Sequence, residues 1–251
     1  MYKIPANTLF TGKKLVFVPD CPSTNTLALE ISQQSPVKEG TVVITDEQTA
    51  GKGQRGNTWE AEPRQNLTFS LILKPGFLAV NKQFYLNIVT CLALKDYLGK
   101  KTSHTVHIKW PNDILVHEKK ISGILIENQL KGSTISNSIA GIGFNVNQKL
   151  FKSPAATSLS LITGHDFDLA EELSLMLGCL ESRYLRLRNG DHKLLMDEYL
   201  SSLYLRHQKH NFSADGVFFE GVIEDLDEWG KLRIATENGL RSFGVKEIRY
   251  E

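Results

Sequence analysis

Cysteine is scarce. The chain of 251 residues holds three, Cys21, Cys91 and Cys179, far apart and without a C-x-x-C pair. Such spacing argues against a disulfide framework and against a paired-cysteine zinc site, and suits a reducing cytoplasm. Excess charge is missing too: 29 Lys+Arg stand against 28 Asp+Glu, a formal +1. The overall positive field that draws proteins to phosphate backbones is therefore absent, although a local basic patch stays compatible. Nowhere do 18 consecutive apolar residues occur, and residues 1–18 contain no apolar stretch of signal-peptide length. A soluble, unexported cytoplasmic protein without a membrane partner is the expectation. Internal repeats and low-complexity segments are also lacking, which excludes solenoids and long linkers.

What is present is ordinary globular material, 41% hydrophobic and 23% charged, in a length that suits one large domain with a small companion. Hydrophobic period predicts a strand over 14–18 and then a helix with Leu27, Ala28 and Ile31 on one face, Ser23 or Thr24 supplying the N-cap. A β-branched strand over 41–45 is followed by about twenty polar, glycine-rich residues before a strand over 67–73. Unstructured loops of that size in compact domains are usually functional. Residues 82–98 read as a core helix. Strand-like runs over 106–109, 114–117, 122–129 and 135–145 are most simply joined as hairpins. Asp168 to Glu171 forms a capping box for a helix running to 188, and a second helix covers 193–203. From 217 onward short strands alternate with the turns 227–230 and 237–239, the pattern of a small β-barrel. The expected organisation is therefore a unit over 1–210 and a β unit over 211–251, too short for much core of its own and so leaning on the larger.

Gly51-Lys52-Gly53-Gln54-Arg55-Gly56 matches G-x-G-x-x-G after a strand. A dinucleotide fingerprint must next open a helix, whereas Asn57 to Pro63 is polar and ends in proline, so that reading is disfavoured. A P-loop is excluded, because Gly56 is followed by Asn57-Thr58 and not by Lys-Ser/Thr. A flexible loop with two cations and successive exposed N–H groups remains, able to close over an anion; a solvated surface loop is the alternative. Lys109-Trp110-Pro111-Asn112-Asp113 sets a cation, an aromatic and a carboxylate in a turn, and a hairpin returns Lys119-Lys120 beside it. Asp113 and Lys120 can then face one pocket, or form a surface ion pair of small value. Gly141-Ile142-Gly143-Phe144-Asn145-Val146-Asn147 ends an apolar strand with glycines that permit close backbone approach or mark a bulge. His104 and His107, three apart in an apparent strand, point to opposite faces and should not share a metal; His207 and His210 read as solvated linker residues.

Together these segments, with Ser23-Thr24-Asn25, Gln48, Trp59 and Lys120-Ile121-Ser122-Gly123-Ile124-Leu125-Ile126-Glu127, resemble the biotin protein ligases in order and spacing over 23–147. The resemblance implies an α+β fold: a mixed, largely antiparallel sheet backed by helices, of class II synthetase-like type, with a small C-terminal SH3-like barrel. It implies a ligase that makes biotinyl-5′-AMP from biotin and ATP with Mg²⁺, then transfers biotin to a lysine of a carboxylase's carrier domain. By position, Lys120 corresponds to the lysine that meets the biotin carboxylate and the α-phosphate, with Asp113 and Lys109 beside it and Asp113 as the candidate Mg²⁺ contact. Ser23, Thr24, Asn25, Gln48, Lys52, Gly53, Gln54 and Gly123 match biotin-side positions. Arg55, Trp59, Asn112 and Asn145 match the ATP and adenylate side, Trp59 packing on adenine or, alternatively, supporting the loop base.

Two departures stand out. Where many members carry G-R-G-R-R-G, this chain has Lys52 and Gln54, so neighbouring Arg55 becomes the substitute cation. Some members open with a helix-turn-helix, whereas this sequence starts at the catalytic region, so DNA binding is not expected. A lipoate–protein ligase is the rival of the same fold, but the glycine triplet associated with it is missing; a non-enzymatic biotin-binding module is the other alternative. Pairing of two copies through sheet edges is compatible with the sequence.

Overall fold

The computed structural model describes residues 2, 5, 7–34 and 36–251, with Arg55 described by its backbone alone. β1 (Leu15–Cys21) leads through Pro22 and Ser23 into α1 (Thr24–Gln34), and β2 (Thr41–Gln48) returns parallel to β1. β1 is three residues longer than its apolar run because Pro19 is tolerated in a strand at the sheet edge. Then come β3 (Leu67–Leu73), α2 (Phe84–Gly99) and four strands joined as hairpins: β4 (Val106–Lys109), β5 (Asp113–Val116), β6 (Lys119–Lys131) and β7 (Thr134–Phe144). They complete a seven-stranded sheet in the order β1-β2-β3-β7-β6-β5-β4, mixed but largely antiparallel. A short helix α3 (Leu159–Thr163) is capped by the Ser158 side chain and stopped by Gly164 at φ 82°; at five residues it is too short to show a period. α4 (Leu169–Arg188) and α5 (His192–Ser201) follow. The Asp168 carboxylate accepts from the N–H groups of Ala170 and Glu171 at 2.8 and 2.9 Å, which starts α4 where the sequence places it.

α1 covers one face of the sheet by packing Ala28 against Val43, Ile72 and Ile139. α2 lies on the other face and is buried nearly all round, because α4 and α5 close over the side turned away from the strands. Several polar groups within this back layer are paired. The Tyr97 hydroxyl donates to Glu172, Lys101 Nζ stands 2.7 Å from the same carboxylate, and Arg183 holds Asp96 through two bonds of 2.6 and 2.7 Å. Among the described residues no helix is long and apolar enough to cross a membrane.

The C-terminal sheet consists of β8 (Lys209–Ala214), β9 (Val217–Leu226), β10 (Leu232–Thr236), β11 (Gly239–Phe243) and β12 (Arg249–Tyr250), ordered β11-β10-β9-β8-β12. β8 goes unforeseen in the sequence and crosses the expected 210/211 boundary. Its signal is the Asp215-Gly216 turn, both residues at positive φ, the requirement of a two-residue hairpin. His210 is accordingly no linker residue, since its ring lies against those of Phe212 and Tyr250. His104 precedes β4 and faces the His117 ring, whereas His107 faces Tyr204. The small sheet docks tightly on the large one: Phe212, Ile223 and Ile234 belong to the same apolar core as α2. Trp110 Nε1 donates to the Gly230 carbonyl at 3.0 Å. A Cβ at Gly230 would stand 2.2 Å from the Phe84 ring, so this approach requires glycine.

Candidate active site

A cavity of about 460 Å³ opens where the start of α1, the end of β2, the 52–59 loop, the β4–β5 turn, β6, β7 and the β11–β12 segment converge. That is an ordinary volume for a small-molecule site. Its central cation is Lys120. Along β5 and β6, Asp113 pairs with Gly123 and Ile114 with Ser122, but Leu115 pairs with Lys120, so Ile121 is an extra residue in β6. Residues three apart on a regular strand face opposite ways; this bulge turns Lys120 to the face of Gly123 and Asp113. The backbone is clamped at the same place, with Lys120 N–H donating to Ala155 C=O at 2.7 Å and Thr157 N–H to Lys120 C=O at 2.9 Å.

Lys120 Nζ lies 2.6 Å from Asp113 Oδ1, the two side chains being 37% and 26% exposed. An ion pair this open contributes about 0–1 kcal/mol, so Lys120 can exchange Asp113 for an anionic ligand at little cost. Asp113 is the one carboxylate among the described residues of the cavity wall. The floor is glycine: a Cβ at Gly143 would come within 2.2 Å of the Trp59 indole, and one at Gly123 within 3.2 Å of both Trp59 and Lys120 Nζ. Trp59 therefore rests on bare backbone, 5.7 Å from the Lys120 ammonium, and its buried indole N–H has no partner among the described residues.

At the α1 end the hydrogen bonds decide which way each amide points. Gln48 Oε1 accepts from Thr24 N–H at 2.8 Å and from the Thr24 hydroxyl at 3.2 Å, leaving the Gln48 NH₂ as the free donor end. Asn25 Nδ2 donates to Leu125 C=O at 3.1 Å and to Glu127 Oε2 at 2.7 Å. Asn25 Oδ1 instead lies 2.6 Å from the Ser70 hydroxyl, which is also 2.8 Å from Thr24 Oγ1 and, with one proton, donates to one of them at a time. A Cβ at Gly141 would sit 2.2 Å from that Asn25 oxygen, so glycine there makes its space. Asn25 and Gln48 thus bring an acceptor and a pair of donors to this end of the cavity, and Ser23 lines it as well.

The 49–66 loop folds back as a narrow hairpin, with Gly53 N–H donating to Asn57 C=O at 2.7 Å and Trp59 N–H to Gly51 C=O at 3.0 Å. After the short 3-10 turn Gln54–Gly56 the chain is extended at Asn57, so the helix a dinucleotide fingerprint requires is not formed. Gly53 and Gln54 line the cavity, Lys52 Nζ reaches Thr26 Oγ1 at 2.8 Å over the start of α1, and the Arg55 side chain lies outside the described residues.

The K-W-P-N-D turn is anchored from beneath. Pro111 C=O accepts from Asn87 Nδ2 and from the Tyr199 hydroxyl. Asn112 Nδ2 donates to Ile124 C=O at 2.5 Å, so this amide lines the cavity with one of its two N–H groups engaged. Cys91 lies under the same turn; burial, reinforced by the Asp113 charge, pushes its thiol well above the usual value, which keeps it a protonated packing residue. Lys109 Nζ sits 4.7 Å from the centre of the Tyr250 ring.

Of the candidate site residues whose side chains the structure describes, Asn145 is the one the cavity wall does not include. It is buried behind β6, with Nδ2 donating to Thr157 C=O at 2.9 Å, and so braces the segment that clamps Lys120. Ser70, Glu127 and the C-terminal Val245, Ile248 and Tyr250 went unassigned. Ser70 had a readable signal, one of two hydroxyls in an otherwise apolar strand; the last three enter only through docking of the second sheet.

Residues 18–145 match the model of the biotin/lipoate A/B protein ligase family. Over 245 residues the chain is 32% identical to the bifunctional ligase/repressor BirA of Bacillus spizizenii, covering 94% of this chain and 74% of that one. The chain belongs to the biotin/lipoate A/B protein ligase family. It is also 36% identical over 237 residues to the biotin--[acetyl-CoA-carboxylase] ligase of Paracoccus denitrificans, covering 90% and 96% of the two chains. Among solved structures, the biotin protein ligase from Aquifex aeolicus in complex with biotin and ATP superposes with a TM-score of 0.79 at 29% identity, over 95% of this chain and 100% of that one. The family match runs through every cavity segment from Ser23 to Gly143, while the C-terminal strand that adds Tyr250 lies beyond it.

Proposed function

We propose that this ligase activates biotin as biotinyl-5′-AMP and passes the biotinyl group to a lysine of a biotin carboxyl carrier domain. The observation that carries the reading is the position of Lys120: one ammonium, loosely held by Asp113, between the ordered amides at the α1 end and Trp59 on its glycine floor. Support also comes from the curated relatives named as biotin ligases and from the Aquifex aeolicus neighbour described with biotin and ATP.

A ureido group offers one carbonyl and two N–H groups, which complements the Gln48 NH₂ and the Asn25 oxygen. With the ring held there, the carboxylate points toward Lys120. Two anions must then meet, and Lys120 offsets their repulsion and stabilises the charge that develops on the phosphate oxygens. A carboxylate oxygen attacks the α-phosphorus, the bond to the bridging oxygen breaks, and pyrophosphate leaves. In the second step the acceptor amine attacks the acyl carbon, AMP departs with the former carboxylate oxygen, and the amine loses its proton. Trp59 and the loop hairpin cover the reactive anhydride and keep water from it. Mg²⁺ characteristically binds substrate phosphates with one or two carboxylates; the single wall carboxylate, Asp113, fits that donor set, and the ion when bound supplies charge neutralisation on the phosphates. Three free buried cysteines suit a reaction in the reducing cytoplasm.

The deciding experiment incubates the protein with ATP, Mg²⁺ and either biotin or lipoate, follows acyl-adenylate by mass spectrometry, and then adds a carrier domain. Biotinyl-adenylate and a biotinylated lysine are expected. Adenylate formed from lipoate alone would overturn the reading.

A further inference from the structure

Glu127 stands outside the cavity wall and is exposed, yet its carboxylate touches a buried amide that is part of that wall. Asn25 is 3% exposed, and its side chain fills nearly the same space with the amide turned either way. Its neighbours choose the orientation. Leu125 C=O and the Glu127 carboxylate can only accept, so both demand Nδ2. The Ser70 hydroxyl can donate or accept and so favours neither end. Two acceptors therefore hold the oxygen toward Ser70 and the gap left by Gly141. If Glu127 is removed, a single acceptor is left to oppose the flip.

We infer that Glu127 is a positioning residue for biotin: it fixes the Asn25 amide with the oxygen displayed, so that the cavity end accepts a ureido N–H and does not offer a second donor there. The inference rests on the biotin reading above and adds a residue to it. Glu127 acts through Asn25 and touches neither the reacting atoms nor the nucleotide. Its effect belongs to biotin recognition and leaves the chemistry of Lys120 alone.

The test is a series at one position, measured in the full chain as biotin-dependent pyrophosphate release with biotin and ATP varied separately, alongside thermal unfolding. Glu127→Gln keeps an oxygen that accepts from Asn25 and should leave the biotin KM within about 2-fold. Glu127→Ala should raise it about 10-fold, the scale of one charged-acceptor hydrogen bond. Glu127→Lys places a donor where an acceptor stood, favours the flipped amide, and should raise it further. ATP KM, kcat at saturating biotin and the unfolding temperature should stay near wild type throughout. Calorimetric titration of biotin into Glu127→Gln and Glu127→Ala should repeat the same split. An unchanged biotin KM in Glu127→Ala overturns the inference. Equal rises in the Gln and Ala variants also overturn it, since loss of charge and not amide orientation would then be the cause. A wild-type protein that releases no pyrophosphate with biotin overturns the functional reading itself, an outcome distinct from either of these.

Discussion

Behind the sheet, α2 is enclosed by α4, α5 and the strands, and Leu86, Ile88, Leu92 and Tyr97 are buried to within about 1%. In front of it, the cavity side is made of bare glycine, a hairpin loop held by a few backbone bonds, and an ion pair open to water. The difference separates two tasks. Apolar packing on one side holds the strands in place. The other side leaves its central cation, Lys120, only loosely held, so that a ligand can replace its partner.

Substitutions that damage one face and spare the other test this division. The largest effect is expected at Lys120. Lys120→Ala should slow adenylate formation roughly 10²- to 10³-fold, the scale of one preorganised donor, with little change in unfolding temperature because the pair with Asp113 is open. Near-normal pyrophosphate release would remove Lys120 from its assigned role. Leu92→Ala should do the reverse, lowering unfolding free energy by about 2–5 kcal/mol through the cavity it creates. Denaturant titration measures that loss, and substrate KM values in the surviving folded protein should hold; if they move, the back layer is not merely a frame.

A smaller effect is expected at Trp59. Trp59→Ala should weaken ATP about 10-fold and biotin less, as aromatic contacts of about 0.5–1.5 kcal/mol suggest; equal weakening in calorimetry would make the indole a scaffold for the loop. Smallest is a pH effect in the back layer. Burial alone would push the Glu181 carboxyl up, but the N–H groups of Phe10, Thr11 and Leu9 more than offset this and hold it below the usual value. A depressed folded value means that the stabilisation is complete above the unfolded-chain value of about 4.3 and is lost as pH falls through the lower folded one. Acid unfolding of Glu181→Gln should show a shallower pH dependence below about pH 4.3 while turnover at neutral pH is kept; an unchanged acid transition would show that docking of residues 9–11 does not depend on this carboxylate.

The elements with a clean period were legible in advance: β3 over 67–73, β4 over 106–109 and the start of α4 at its Asp168 cap all lie where the pattern puts them. β8 was not, because Lys-His-Asn-Phe-Ser-Ala has no strict alternation and its burial depends on rings brought from β9 and β12. In the cavity, Lys120, Asp113 and the 51–59 loop were legible as motif residues. The side chains of Asn112 and Asn145 were legible as polar groups, but nothing local showed that one proton of each amide is already taken. Ile124 and Thr157, whose carbonyls accept them, are each twelve residues further along the chain.

The sequence alone determined the local grammar: which of the longer periodic segments run as helix or strand, where glycine leaves backbone exposed, and which cation and carboxylate flank one hairpin. These depend on neighbours within a few residues, and short-range sterics and period suffice to set them. Tertiary structure decided the bulge at Ile121 that turns Lys120 into the cavity, the direction of the Asn25 and Gln48 amides, and the entry of Tyr250 beside Lys109. In each case the deciding atom comes from another element of the fold, and no local pattern carries that information.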